Sequence, residues 1–333
     1  MRFGMFVPQG WRYDLVGIDP AQHWQTMHSL AEYADAPDSV WESIWVYDHF
    51  HTTPVPSPTE ATHEAWSLMA AFAASTSRVR LGQMCTCMSY RNPAYLAKVA
   101  ATVDHVSGGR LEMGIGGGWY EHEWRAYGYG FPSIPERLGR LREGVEIMHQ
   151  AWTTGRATLD GTYYQVDGAI VQPQPVQPGG IPFWIAGGGE QVTLRIAAKY
   201  ASYTNFTGTP EEFSHKSEVL RAHCESLGTD FEAITRSSNF NTVVGVDEAD
   251  VARRLAVIET RLTPFLGPEK AASLIAENYR SPNAAVGTPS QVAAKLAERR
   301  ELGLGYAIHY FPEAAYDRSG LELFAAEVVP ALR

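Results

Sequence analysis

The residues best suited to chemistry are Asp48 and His49, which follow the apolar run Ser43-Ile44-Trp45-Val46-Tyr47 and precede Phe50. An imidazole exchanges protons near neutral pH, and a carboxylate beside it can orient the ring or raise its pKa. Adjacent residues on a strand point to opposite faces, so both side chains can serve one ligand only where the strand has given way to a loop. The bland alternative is an aspartate capping a turn and a histidine filling a polar gap.

Three further segments carry similar loads. Met84-Cys85-Thr86 ends a strand-like run, but nothing near it in sequence supplies the cation or helix N-terminus that a reactive thiolate needs, so Cys85 reads as packing. Gly114-Ile115-Gly116-Gly117-Gly118 lets the backbone approach a ligand closely. It is not a dinucleotide fingerprint, because Trp119 stands where the last glycine belongs. Ala186-Gly187-Gly188-Gly189 runs into a predicted helix at 190–199. Free N–H groups at such a start bind an anion without any lysine or arginine. The histidines show no metal-ligand spacing, and no metal site is expected.

These segments need a frame that brings them to one place. Apolar runs at 2–8, 43–47, 78–85, 111–116, 183–186, 202–206, 241–246 and 306–310 read as strands. Between them lie helical patterns at about 20–36, 62–75, 93–106, 134–153, 190–199 and 210–227, and from about Pro289. Asn92-Pro93 and Ser107-Gly108-Gly109 are start and stop signals. This βα alternation predicts a parallel sheet, and the 333 residues suit an α/β (β/α)8 TIM barrel with insertions. We expect one domain over 1–333, with insertions at about 155–172, a hairpin, and 260–285. In a parallel barrel all the loaded loops fall at the C-terminal ends of strands, where barrel sites are built.

The totals exclude other classes. With 37 acidic and 27 basic residues the net charge is −10, and no basic stripe offsets it, so nucleic acid is not an expected partner. No apolar run approaches the ~20 residues of a membrane span. Met1-Arg2-Phe3-Gly4-Met5-Phe6-Val7 reads as a strand and not a leader, and three cysteines without a framework point to a reducing, cytoplasmic setting. An aromatic group at 11, 119, 120 and 124 is expected at the mouth, beside a small-molecule substrate.

Taken together, several segments resemble the bacterial-luciferase-like family, in particular its branch that uses the deazaflavin coenzyme F420. They are Trp45-Val46-Tyr47-Asp48-His49-Phe50, Tyr90-Arg91-Asn92-Pro93-Ala94, Gly108-Gly109-Arg110-Leu111, Gly114 to Trp119, and Ile185 to Gly189 followed by Arg195, Ala197-Ala198 and Tyr200-Ala201. The resemblance spans nearly the whole chain. It implies a luciferase-like barrel with the deazaflavin ring at the C-terminal mouth and a homodimeric assembly. It implies a cofactor site made of Asp48, Met84, Cys85, Thr86, Gly116, Gly117, Gly118, Trp119, Ala186, Gly187, Gly188 and Gly189, with the phosphate on the last three. It places a non-proline cis peptide at Met84-Cys85 and assigns Asp48 and His49 to catalysis, His49 as the acid/base. The implied activity is hydride transfer between F420 and an alcohol, imine or activated double bond. An FMN-dependent monooxygenase is the alternative on the same fold, and a non-catalytic flavin-binding protein is the alternative of another class. The best-known sugar-phosphate dehydrogenase of this branch carries a glutamate where this chain has Trp119 and a tryptophan where it has Thr53, so the resemblance does not carry its substrate over, and the aromatic mouth suggests a more apolar or larger one.

Overall fold

The structure is a computed structural model that describes residues 1–332. The strands are β1 (Arg2–Phe6), β2 (Ser43–Val46), β3 (Arg80–Gln83), β4 (Thr86–Cys87), β5 (Leu111–Gly116), β6 (Arg156–Asp160), β7 (Gln165–Ile170), β8 (Phe183–Ala186), β9 (Tyr203–Asn205), β10 (Thr235–Val244), β11 (Ala285–Gly287) and β12 (Leu304–Tyr310). The main helices are α1 (His23–Asp35), α2 (Ala65–Ser75), α3 (Pro93–Ser107), α4 (Glu121–Ala126), α5 (Ile134–Thr154), α6 (Thr193–Tyr200), α7 (Pro210–Leu227), α8 (Glu248–Leu266), α9 (Pro268–Tyr279) and α10 (Pro289–Glu301).

Strands pair in parallel in the order β10-β12-β1-β2-β3-β5-β8-β9, and β9 pairs back onto β10 with Tyr203 opposite Thr235. The sheet therefore closes as an eight-stranded parallel barrel surrounded by helices, the expected fold. Closure leaves no exposed edge on those strands. β6 and β7 form a separate antiparallel hairpin.

The barrel core explains several glycines. Trp45 is fully buried inside it, and a Cβ at Gly82 or Gly4 would come within 2.3 or 2.6 Å of its ring. Glycine on both neighbouring strands thus makes room for one indole, whose Nε1 donates to Ser43 Oγ at 2.5 Å. Trp184 stacks on Tyr203 at 3.9 Å and donates to buried Glu112 at 2.7 Å. Pairing polar atoms inside the barrel in this way avoids a cost of about 1–3 kcal/mol for each one left unpaired.

The helix signals act as read. Asn92 Oδ1 accepts from Ala94 N and Tyr95 N at the start of α3, and Gly108 ends it with φ 66°. Some boundaries differ from the pattern, among them those of β10 and α6. β10 begins at Thr235 and not at 241, because its first half, Arg236-Ser237-Ser238-Asn239, is polar yet lies in the barrel wall. There Ser237 Oγ donates to Thr204 O and Ser238 Oγ to Phe206 O, so hydrogen bonds take the place of apolar side chains. α6 begins at Thr193, three residues later than expected.

Candidate active site

At the C-terminal end of β2 the chain leaves the sheet, and Asp48 and His49 part company. Asp48 is 2% exposed. Its Oδ2 accepts from Arg91 Nη1 at 2.7 Å and Cys87 N at 2.9 Å, and its Oδ1 accepts from Arg91 Nη2 at 2.9 Å. The paired guanidinium is in turn held by Glu64 at 2.8 Å. The carboxylate expected to serve catalysis is therefore consumed behind the wall, where it ties β2 to the β3–β4 turn. That turn holds the Met84-Cys85 peptide, which is cis.

His49 lies at the rim. Its ring stacks on Trp11, with centroids 4.0 Å apart and planes within 5°, and meets Trp119 and Tyr120 edge-on at 5.8 Å. Nδ1 lies 2.9 Å from Glu123 Oε2. Nε2 has no hydrogen-bond partner among the described residues. Glu123, on α4, has a fully buried side chain. Its Oε1 accepts from Phe50 N at 2.7 Å and His51 N at 2.9 Å, and its Oε2 also accepts from Tyr90 Oη at 3.2 Å. A carboxylate with this donor set is fixed in place and fixes the imidazole in turn. It leaves Nε2 as the nitrogen that can take or give a proton.

The remaining expected site residues converge from neighbouring strands. Met84 is 5% exposed and packs in the barrel's upper aromatic cluster with Trp184 and Tyr310. Cys85 is partly exposed, and burial of its thiol, with Asp48 nearby, pushes the pKa up to about 12. Thr86 is buried and donates to Gln83 Oε1 at 2.8 Å. A Cβ on Gly116 would lie 2.7 Å from Cys85 Sγ and 3.3 Å from Ala186 O, so the ends of β3, β5 and β8 meet at one point. Gly117 packs on Leu138 of α5, and a Cβ at Gly118, where φ is 74°, would strike Cys87 Sγ at 2.5 Å. Trp119 is 60% exposed at the mouth. Trp124, expected there too, is instead fully buried against Cys87 and Tyr90. As a residue of the short helix α4 it points inward on the turn that also buries Glu123.

At the 187–189 loop, Gly187 has φ 114° and donates its N–H to Asn205 O at 2.8 Å. Residues 190–192 form a turn before α6, so the glycines do not open the helix directly. A positive charge is supplied instead by α7, because a Cβ on Gly188 would lie 2.7 Å from Lys216 Nζ. That ammonium makes one long bond, 3.4 Å to Thr207 O, and no ion pair among the described residues. Positive φ, missing Cβ atoms and a lysine without an acid partner fit a phosphate ester here. Where Cys85, Gly116 and Ala186 meet, the small side chains leave the rim of the aromatic cluster of Trp45, Met84 and Trp184 as the bed available to a flat ring.

Comparison with known proteins is consistent with this geometry. The profile of the luciferase-like monooxygenases matches residues 1–305. The chain belongs to that family. F420-dependent glucose-6-phosphate dehydrogenases are among its relatives. That of Amycolatopsis mediterranei (strain U-32) is 36% identical over 176 residues, 52% of this chain and 50% of the relative. That of Mycolicibacterium gilvum (strain PYR-GCK) is 30% identical over 321 residues, 88% of this chain and 90% of the relative. Among solved structures, a monooxygenase from Streptomyces bottropensis superposes over all of both chains with TM-score 0.81 at 22% identity. An F420-dependent secondary alcohol dehydrogenase, in complex with an F420-acetone adduct, gives TM-score 0.77 at 21% identity over 100% of this chain and 99% of that one.

Glu123 and Lys216 are the site residues that sequence reasoning did not assign. The position of Glu123 five residues past the glycines was visible, but its partner His49 lies 74 positions away.

Proposed function

We propose that this protein is an F420-dependent oxidoreductase that moves a hydride between the deazaflavin and a small organic substrate, an alcohol, imine or activated double bond. The observation that carries the chemistry is the His49 ring, with one nitrogen fixed by a buried carboxylate and the other without a protein partner. The choice of F420 is supported by full-length relatives that are named for it. Bound F420 supplies the hydride chemistry at its ring. The chain's own residues supply the rest. Gly187, Gly188, Gly189 and Lys216 would hold the phosphate. Met84, Cys85, Thr86, Gly116, Gly117, Gly118 and Ala186 would bed the ring, with Trp119 shielding it from water.

His49 Nε2 moves the matching proton. Glu123 keeps Nδ1 protonated and stabilises the imidazolium when Nε2 is protonated too. Asp48 acts one layer back, through Arg91 and Cys87 N, to hold the β3–β4 turn.

The test is His49→Ala. Turnover falls about 10²–10⁴-fold if His49 is the acid/base, while F420 affinity survives. Near-normal turnover removes His49 from the mechanism. Oxygen consumption with reduced FMN would move the protein to the monooxygenase reading.

A further inference from the structure

A cavity of about 220 Å³ lies beside the His49 rim, walled by Trp11 and Trp119 on one side and by α8 and α9 on the other. The two aromatics that enclose His49 are thus also walls of the cavity. Much of the remaining wall is apolar, with Pro54, Ile258, Leu262 and Leu274. Two arginines interrupt it, Arg12 from the loop after β1 and Arg261 from α8.

Neither arginine is committed to a carboxylate. Arg12 donates Nη1 to Asn241 Oδ1 at 2.6 Å and stands 4.5 Å above the Tyr310 ring. Arg261 donates Nη2 to Pro312 O at 2.6 Å and stands 4.1 Å above Tyr316, and its Nε is buried without a partner. Each guanidinium has five N–H donors, so most remain unassigned. Among the described residues neither lies within 4 Å of an acid oxygen. The nearest acids are already engaged: Asp14 accepts from Gly10 N at 2.7 Å and Tyr310 Oη at 3.1 Å, and Glu313 accepts from Arg254 at 2.5 Å. Of the other arginines that enter the interior, Arg91 and Arg254 meet carboxylates, while Arg137 and Arg299 donate to Pro132 O and Asn283 Oδ1. Asp14 and Glu313 act on Arg12 and Arg261 only through space, so two guanidiniums around one cavity, neither touching an acid oxygen, keep donors that can take an anion from outside.

We propose that this cavity is a carboxylate-binding subsite that selects a small substrate with one carboxylate on an apolar or aromatic body. The inference rests on the oxidoreductase reading for its catalytic meaning. A carboxylate suits the planar forks of arginine. The volume is below the roughly 300–1,000 Å³ of pockets that enclose drug-sized ligands, so the ligand is small. Pro54, Ile258, Leu262 and Leu274 give the body of the ligand an apolar wall, beside the polar Thr53, Asn278 and Tyr279.

The test uses the full chain without cofactor, so that it reads independently of F420. Tryptophan fluorescence is titrated with benzoate, with benzyl alcohol as its neutral counterpart, and with inorganic phosphate. Benzoate is expected to bind saturably and at least 10-fold tighter than benzyl alcohol, with phosphate weaker than benzoate. Arg261→Gln should abolish that preference and Arg261→Lys should restore part of it, with F420 affinity unchanged in both. Equal binding of benzoate and benzyl alcohol, an unchanged preference in Arg261→Gln, or tighter binding of phosphate overturns the proposal. Benzoate preference with no F420 binding upholds the anion subsite and removes the cofactor reading.

Discussion

Replacing Glu123 by glutamine tests how the site controls its proton. The change keeps side-chain volume in a place with no exposed surface. The amide oxygen can take the Oε1 position and still accept from Phe50 N and His51 N. The amide nitrogen then faces Tyr90 Oη and His49 Nδ1, where the carboxylate accepted at 3.2 and 2.9 Å. Tyr90 can reverse its bond, because a hydroxyl also accepts. His49 can accept at Nδ1 only by moving its proton to Nε2, which inverts the tautomer. Stability is a poor readout, because two effects oppose. Hydrogen bonds to a charged acceptor are worth about 1.5–3 kcal/mol each and neutral ones about 0.5–1.5 kcal/mol, yet neutralising a buried anion recovers desolvation. The tautomer is a clean readout. Nitrogen NMR of ¹⁵N-histidine-labelled protein at pH 8, assigned with His49→Ala, should show Nδ1 protonated in the parent and Nε2 protonated in Glu123→Gln. Turnover should fall about 10²–10⁴-fold, with F420 affinity within about 2-fold. The same tautomer in both proteins, or turnover within 2-fold, would mean that Glu123 does not set the proton on His49.

Two further outcomes follow from burial of titratable groups. His309 is fully buried among Phe3, Trp41, Phe240 and Phe324, and desolvation lowers its pKa from 6.5 to about 3. Above pH 6.5 it is neutral folded and unfolded and contributes nothing. Below that, the unfolded chain takes a proton that the folded chain refuses, so stability falls as pH drops towards 3. At pH 5 the penalty is about 2 kcal/mol. Urea melts at pH 7.5 and 5 should show that loss in the parent and not in His309→Gln, and identical slopes would contradict it. At Cys85, a pKa of about 12 leaves roughly 10³-fold less thiolate at pH 8 than an ordinary thiol has. Iodoacetamide should label Cys85 slowly in the folded protein and rapidly in urea, as mass spectrometry of the peptide would show. Fast labelling of the folded form would mean that the thiol is activated.

The fold was legible because nearly every barrel strand is a short apolar run and most helices carry their own start and stop signals. Asn92-Pro93 and Gly108 do so for α3. What escaped was decided by contacts distant in sequence. The first half of β10 looks like a polar loop until Asn205 and Thr204 of β9 are placed beside it. Six-residue α4 has no room for a hydrophobic period, so the inward turn of Glu123 and Trp124 left no trace. Asp48 and His49 were visible as a pair, but not their division of labour. That depends on Arg91, 43 residues later, and Glu123, 74 residues later. The 187–189 glycines pointed to an anion, while the charge beside them comes from Lys216, one helix further along.

The function proposed here requires that the site take a deazaflavin. Parallel titration of tryptophan fluorescence with F420 and FMN addresses it most directly, since Trp119 is exposed at the mouth. Saturable quenching by F420, with FMN at least 10-fold weaker, is the predicted result. Tight FMN binding with weak F420 binding, or no binding of either, would contradict it.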